Sequence, residues 1–495
     1  MRPTRPVLAV VCLALATVVS AVTSLNVAIP SLARDLHGTS SDLAWVVDAY
    51  SLVFAALLLP GGALGDRFGR RRVLAVGLSV YGLTALVAMT AGGFAELVAL
   101  RAVLGLAAAL IMPATLSTIT STFPEERRAQ GVAAWTGVAG ASAVLGLLTS
   151  GLLLEWFSWR SVFGLNVVLA LLALVGTLRI VPESADPAAP PADLVGTLLS
   201  VAGLGVLVWA LIEAPTNGWG SGSTLTGLAV GILVLAGFLV WELRMARPML
   251  DPRLFARPAF AAGTLSVCVQ FLAFFGFAFV FLQYLQIVRH DSALVAALSM
   301  LPLAVGLMPA ARLAPRLVGL RGPGVVCVTG LGLAAVALGL LSRVDAGTSY
   351  AWVAAFLVPL GIGMGLAMTP ATTAITAALP DEQQGVASAV NDLSRELGGA
   401  LGIAILGSVL TSTYRSNLPQ GLPAAARESA GVASQVGGRV AEAARTAFVD
   451  GLGATLLTGA GVVAVAAVVV GVLLGRAGER QRDAVDDAIV VTPAH

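Results

Sequence analysis

Gly62-Ala63-Leu64-Gly65-Asp66-Arg67-Phe68-Gly69-Arg70-Arg71-Arg72-Val73-Leu74 is a short charged turn set between two long apolar stretches. Gly62, Gly65 and Gly69 leave room for two helices and their connecting turn to approach closely. Asp66 with Arg67, Arg70 and Arg71 forms a charge cluster where the apolar stretches stop, at a membrane surface. A cluster of this kind can latch one part of a helical bundle against another.

The rest of the chain fits such a bundle. Hydrophobic residues make up 57% of the 495 residues and charged ones 11%, against the roughly 25% charged residues of a soluble domain. Mean hydropathy is +0.91. Most apolar runs are about 20 residues long, the length of helix that crosses a hydrocarbon core of about 30 Å. All 29 basic side chains are arginine and lysine is absent. Together with abundant Ala, Gly and Val, this suggests a GC-rich bacterial genome. Cys12, Cys268 and Cys327 lie inside apolar runs and read as packing residues, with no disulfide or metal framework.

Apolar runs between charged or Gly/Pro-rich breaks predict spans near 7–33, 45–65, 73–91, 95–121, 131–154, 161–181 and 194–213. Seven more follow near 224–243, 259–287, 293–313, 323–342, 350–370, 386–413 and 450–475. The first run follows Arg2 and Arg5 like a secretory leader, but it continues to about Ala33 and is read as a retained helix. Fourteen spans put both termini on one side. With that side inside, Arg67, Arg70, Arg71, Arg72, Arg127, Arg128, Arg179, Arg244, Arg253, Arg257, Arg312, Arg316 and Arg321 are cytoplasmic, whereas the short outer loops hold Arg34, Arg160, Arg289 and Arg343. This is the bias that orients polytopic proteins, and it predicts cytoplasmic termini in a bacterial inner membrane.

The Pro/Ala/Asp stretch from Val181 to Asp193 reads as a flexible connection, and Trp241 to Pro258 as a second one. The expected plan is an all-α integral membrane bundle: a six-helix half (1–181), a linker with two additional helices (182–258), a second six-helix half (259–475) and a cytoplasmic tail (476–495). Two pseudo-symmetric halves with a path between them at the bilayer midplane suit a transporter.

The charged turn resembles the loop signature of the major facilitator superfamily. Leu25-Asn26-Val27-Ala28-Ile29-Pro30, Trp45 to Tyr50, Arg101 with Gly105, Trp159 to Asn166, Gly385 to Ser388 and Arg395 to Gly402 narrow the resemblance to its fourteen-span drug:proton antiporter branch. The resemblance implies export of drugs, antibiotics or secondary metabolites driven by the proton gradient. Two departures stand out. Ala21 occupies the position where the branch usually carries an aspartate, five residues ahead of the asparagine matching Asn26. Gly146-Leu147 and Ser150-Gly151 stand where antiporters have Gly-Pro and, further on, Gly-Gly. Loss of the proline removes a kink point and puts the bend of the fifth helix in doubt.

A coupled carrier needs a group whose protonation changes with conformation. Asp48, about one turn into the second helix beside Trp45 and Tyr50, is the first candidate; it reads equally as a headgroup-region carboxylate supporting a helix N-terminus. Arg101 matches the branch's membrane arginine linked to proton transfer, and alternatively snorkels to the outer interface. Asp392 and Glu396, one turn apart with Arg395 beside them, read as a cytoplasmic gate or as a solvated helix start. For a small lipophilic or cationic substrate, Asn26, Tyr50, Asn166, Gln270, Gln283 and Tyr284 are path candidates; Asn26 and Asn166 read equally as amides bonding neighbouring helices.

A chain without lysine holds no Gly-x-x-x-x-Gly-Lys-Ser/Thr loop, and His37, His290 and His495 are scattered. The sequence therefore points to a carrier and not an enzyme, acting as a monomer, with protons and membrane lipids as partners and no cofactor, metal or nucleic acid. Uptake or uniport of a small metabolite is the alternative, and a non-transport membrane sensor a further one.

Overall fold

The computed structural model describes residues 4–36, 40–185, 193–246, 248–419, 430, 433 and 438–490. Every regular element among the described residues is helical, and fourteen helices are long and apolar enough to cross a bilayer. They are α1 (Thr4–Leu36), α2 (Ser40–Phe68), α3 (Arg70–Ala88), α4 (Phe94–Thr122), α5 (Glu125–Trp156), α6 (Arg160–Ile180), α7 (Leu194–Asn217) and α8 (Gly222–Arg244). After a 3-10 turn at Pro252–Ala256 come α9 (Pro258–Gln283), the short α10 (Ala293–Leu298), α11 (Leu301–Arg321), α12 (Pro323–Leu341), α13 (Tyr350–Thr376), α14 (Gln384–Asn417) and α15 (Gly438–Val490), α10 and α11 together making the tenth of the fourteen spans. Helices satisfy every backbone group internally, which lipid cannot do for them.

Local sequence sets the breaks. Gly69, at φ 103°, adopts a backbone conformation that a side chain resists and turns α2 into α3. The Asp193 and Ser221 side chains accept the amides of Gly196 and Thr224, capping α7 and α8. Pro302 cannot donate to a preceding turn, so the tenth apolar run breaks at Ser299-Met300 into α10 and α11. In the loop before α13, the Thr348 hydroxyl and then the Gly347 amide hold the Asp345 carboxyl below its ordinary value.

The two largest apolar clusters of the core fall on the two ends of the chain, and a third, with Leu59, Phe238, Phe260, Phe271 and Val386, lies where α2, α8, α9 and α14 come together. The first is built on α1 to α6, around Leu15, Leu25, Tyr81, Trp135, Trp159 and Phe163; the second on α9 to α15, around Phe277, Phe281, Leu331, Leu357, Phe448 and Leu456. The clusters meet along two seams, α2 on α14 and α5 on α11. Helices α7 and α8 pack mainly on each other, with α7 also lying on α2 and α14. Trp241 Nε1 donates to Asp193 Oδ2 at 2.9 Å, joining α8 to the start of α7, and Trp219 Nε1 donates to Ser408 Oγ on α14 at 2.8 Å.

Two connections differ from the sequence reading. The stretch after α6 is not free throughout: Arg70 N donates to Ser184 O at 2.9 Å, and Arg71 N to Glu183 Oε1 at 3.1 Å. A carboxylate here suits the positive end of α3. Residues 186–192 of that connection lie outside the described ones. Helix α15 also begins well before position 450, because Ala444, Ala447 and Phe448 share a face that buries against the second cluster.

Candidate functional site

The charged turn lies at the arginine-rich end of the bundle, where α2 meets the start of α14. Gly62 approaches so closely that a Cβ there would stand 2.3 Å from the Gly385 carbonyl oxygen. A Cβ on Gly385 would meet Gly62 O at the same distance. That contact brings Asp66 to the N-terminus of α14. Its Oδ1 accepts the Gly385 amide at 2.8 Å and its Oδ2 the Val386 amide at 3.0 Å. These are orphan donors at a helix start, where a carboxylate is favoured.

Arg70 holds the carboxylate from its other side, with Nε at 3.1 Å and Nη2 at 2.7 Å from Oδ1. Nη2 also donates to the carbonyls of Asp381 and Glu382, at 2.8 and 3.1 Å, and Arg128 on α5 pairs with Asp381 at 2.7 Å. The charged turn thus clamps the first cluster to the second. Arg71 faces the other way, donating to the Leu178 carbonyl on α6, and Arg67 lies over the Phe68 ring. The three glycines differ in role: a Cβ on Gly65 would meet nothing within 4 Å, so only Gly62 and Gly69 are demanded by the geometry.

Two to three turns further along α14 lies a second constellation. Asp392 is 1% and Arg395 7% exposed. Helix α14 starts at Gln384, so these residues sit inside the bundle and not at a solvated helix start. Arg395 Nη1 stands 3.6 Å from Asp392 Oδ1, while Asp392 Oδ2 and Arg395 Nη1 have no hydrogen-bond partner. The Arg395 guanidinium lies over two aromatic rings: Phe271 of α9 at 4.5 Å and Trp135 of α5 at 5.1 Å. Trp135 is fixed in the first cluster by its indole N–H, which donates to Thr115 Oγ1 at 3.0 Å. Asn391 reaches back to α13, where Thr372 donates to its Oδ1 at 3.0 Å. Glu396 is half-buried, close enough to Arg395, and to Tyr50 on α2, for their charges to interact.

Tyr50 connects this group to Arg101. It is 1% exposed and its hydroxyl has no partner. Arg101 lies 4.3 Å over its ring and donates from Nε to the Val46 carbonyl at 2.8 Å. At 2% exposure Arg101 is buried and does not snorkel. Asp48 is directed elsewhere: it is half-buried on α2 and senses Glu213 of the peripheral α7. It is therefore no part of the constellation on α14.

The other path candidates separate. Gln270 is buried on α9, donating to Ser266 O at 3.1 Å, with its Oε1 unpartnered. Asn166 is buried with a free Oδ1. Tyr284 belongs to the wall of the second cluster, where its hydroxyl donates to Asp345 O at 2.8 Å, and Gln283 bonds Phe279 O within its own helix. The side chain of Asn26 lies outside the described residues. No group of histidine, cysteine and acidic side chains able to hold a metal occurs among the described residues. Along the other seam a cleft of about 1290 Å³ opens between α5 and α11, lined by Glu126, Gln130, Leu145, Met308, Arg312 and Arg316.

The profile of the Major Facilitator Superfamily matches residues 11–403. The chain belongs to this superfamily. Its members are generally non-enzymatic carriers. This superfamily member is similar to the tetracenomycin C resistance and export protein of Streptomyces glaucescens, at 33% identity over 69% of this chain and 64% of that protein. It thus spans just under two thirds of that relative's length. It is 35% identical to the puromycin resistance protein pur8 of Streptomyces alboniger, over 69% of each chain. With the multidrug efflux pump LfrA of Mycolicibacterium smegmatis it shares 38% identity over 73% of each. Its fold matches the human organic anion transporter MFSD10 (TETRAN) with a TM-score of 0.67 at 15% identity, over 95% of this chain and 100% of the other.

In this superfamily member α5 runs unbroken through the altered stretch. Gly146 packs on α1, where a Cβ would lie 2.7 Å from Ser20 O, and Ser150 Oγ donates across the same contact to Ser24 O at 2.8 Å. Ser150 thus adds a tie between α5 and α1, and Ala21 is buried in the first cluster. Sequence reasoning has no place for Trp135, Glu183 or Glu213, and takes Phe271 with the other ninth-helix phenylalanines as a lipid-facing or packing residue. An arginine and a tryptophan deep in apolar runs were the available signals, since each needs a partner there.

Proposed function

We propose that the protein exports drugs, antibiotics or secondary metabolites across a bacterial cytoplasmic membrane, with protons moving inward in exchange, and that Asp392 and Glu396 carry the proton. The observation that carries the reading is the Asp392-Arg395-Glu396 group, with Asp392 and Arg395 buried where helices of both clusters meet and left with unpartnered polar atoms, and Glu396 half-buried beside them. Removing a carboxylate from water costs several kcal/mol unless a positive group or a proton compensates. Arg395 at 3.6 Å is one compensating group and a proton is the other.

In this reading the arginine-rich end is cytoplasmic, both termini lie there, and helices α1 to α6 rock against α9 to α15, with α7 and α8 as the additional pair. The chain works as a monomer on small lipophilic or cationic compounds, needs no cofactor and performs no enzymatic step. The Asp66 clamp closes the cytoplasmic end, and substrate leaves on the far side as protons enter. The names of the relatives, an antibiotic exporter and a multidrug efflux pump among them, support export over uptake.

The test is alkalinisation of acid-loaded inverted vesicles on addition of a panel of antibiotics and lipophilic cations. The parent responds, Asp392→Asn and Glu396→Gln lose the response, and Asp48→Asn keeps it. A response abolished by Asp48→Asn and retained by both α14 variants would move coupling to α2. Silence to every compound from a folded, inserted protein would overturn export.

A further inference from the structure

Arg395 occupies a position that a cationic substrate would itself prefer. Its delocalised, planar charge lies over Phe271 and Trp135, beside Asp392 and near Glu396. Two aromatic rings next to two carboxylates form a receptor for an aromatic or otherwise delocalised cation, because ring quadrupoles and acids attract the same charge. The polar side of this arrangement is incomplete, since Arg395 Nη1 and Asp392 Oδ2 lack hydrogen-bond partners although both residues are at least nine-tenths buried. An arginine placed to build a structural ion pair would satisfy these atoms with closer, bidentate contacts.

The second observation is where the cage parts come from. Phe271 and Arg395 stand on α9 and α14, whereas Trp135 stands on α5 and is tied to Thr115 on α4. Trp135 lies ten residues from the start of α5 and Arg395 eleven from the start of α14, so both sit about 15 Å inside the arginine-rich end. The Asp66 clamp at that end holds the cage assembled. Parting of α2 from α14 withdraws Trp135 from Arg395 together with the rest of the first cluster.

We propose that Arg395 is a tethered competitor for cationic substrate, filling the Trp135–Phe271 cage when the arginine-rich end is closed and giving it up when that end opens. This deepens the export reading and rests on it for direction. A lipophilic monocation entering from the opened end pairs with Asp392 and Glu396 and lies on the exposed ring. Closure returns the guanidinium to both rings and expels the cation towards the far side. Arg395 is then a specificity-determining residue: it sets a ceiling on affinity for cations and leaves neutral compounds largely unaffected.

The experiment measures binding of tetraphenylphosphonium, and of a neutral lipophile of similar size as control, to full-length protein in nanodiscs. The variants are Arg395→Gln, Arg395→Lys, Trp135→Leu and the Arg395→Gln/Trp135→Leu double, each checked for a parent-like elution profile and melting curve. Arg395→Gln tightens tetraphenylphosphonium binding about tenfold, Arg395→Lys stays near the parent, and the double variant loses the gain. The neutral control moves less than twofold in all. Weaker cation binding in Arg395→Gln, or a gain that survives loss of Trp135, overturns the proposal. Vesicle export reads the underlying function separately. Export without the affinity gain removes the competitor role and leaves the export reading intact. The affinity gain without export keeps the competitor role and removes the export reading.

Discussion

Asp66→Asn tests the clamp with a change of one heavy atom. The carboxylate makes two kinds of contact that respond differently to opening. Its bonds from Arg70 stay within the first cluster and persist in either state, whereas the Gly385 and Val386 amides belong to α14 and are lost when the end opens. An asparagine oxygen in the Oδ1 position still accepts from Gly385, but as a neutral acceptor. Its NH2 then faces the Val386 N–H, donor against donor. A hydrogen bond to a charged group contributes about 1.5–3 kcal/mol, and a neutral one about 1, so the closed state loses about 2–4 kcal/mol. The Arg70 bonds to the Asp381 and Glu382 carbonyls survive and limit the loss. The shift amounts to roughly 30- to several-hundred-fold in the open-to-closed ratio. Spin labels on the exposed positions 72 and 383 report it by pulsed dipolar spectroscopy in nanodiscs. The parent gives one short distance and Asp66→Asn adds a substantial longer one. An unchanged distance distribution with an unchanged export rate would show that the clamp does not hold the closed state.

Other expectations follow from the same contacts. Gly62→Ala places a methyl 2.3 Å from the Gly385 carbonyl and lowers both melting temperature and transport rate, whereas Gly65→Ala meets open space and stabilises α2 by about 0.5–1 kcal/mol in a thermal melt. Ser150→Ala removes the Ser24 bond at a cost of about 1 kcal/mol, seen as a lower melting temperature; Gly146→Ala drives a methyl towards Ser20 O and costs about 1–3 kcal/mol in the same assay.

The clamp was largely legible because its parts are side chains and glycines at fixed spacing in one turn. Its receiving side was not, because Gly385 and Val386 contribute backbone amides, which every residue has and no composition marks. The α14 constellation was half legible. Asp392 and Glu396 stood out as acids, but with Arg395 between them they also read as the solvated start of a helix. Their burial against helices far away in sequence is what settles how deep the group lies. The cage was illegible for a different reason: Trp135, Phe271 and Arg395 come from three helices, and one residue from each leaves no local pattern. Asp48 stands apart from the α14 group, since proximity to Trp45 and Tyr50 in sequence says nothing of direction. On a helix, residues two apart point roughly 200° apart, so Tyr50 faces Arg101 while Asp48 turns towards α7.

Helix α14 joins the two constellations mechanically. Its first amides are gripped by Asp66, and Asp392 lies seven residues on, about 10 Å along the same axis. A helix of this length moves as a rigid rod on the scale of a single turn. A change of charge at Asp392 or Glu396 that alters how Arg395 sits against Trp135 therefore acts on the same body whose end is held by the clamp. The reverse is expected on the same reading: breaking the Asp66 bonds frees the start of α14 and with it the contact of Arg395 with Trp135. Coupling between two sites must be reciprocal in free energy, so Asp66→Asn and the α14 acid variants should each alter the readout of the other. Spin-label distances at the clamp in Asp392→Asn, compared with the parent, measure this directly: a shifted open population means that α14 transmits the change, and an unshifted one means that the two constellations act through separate elements.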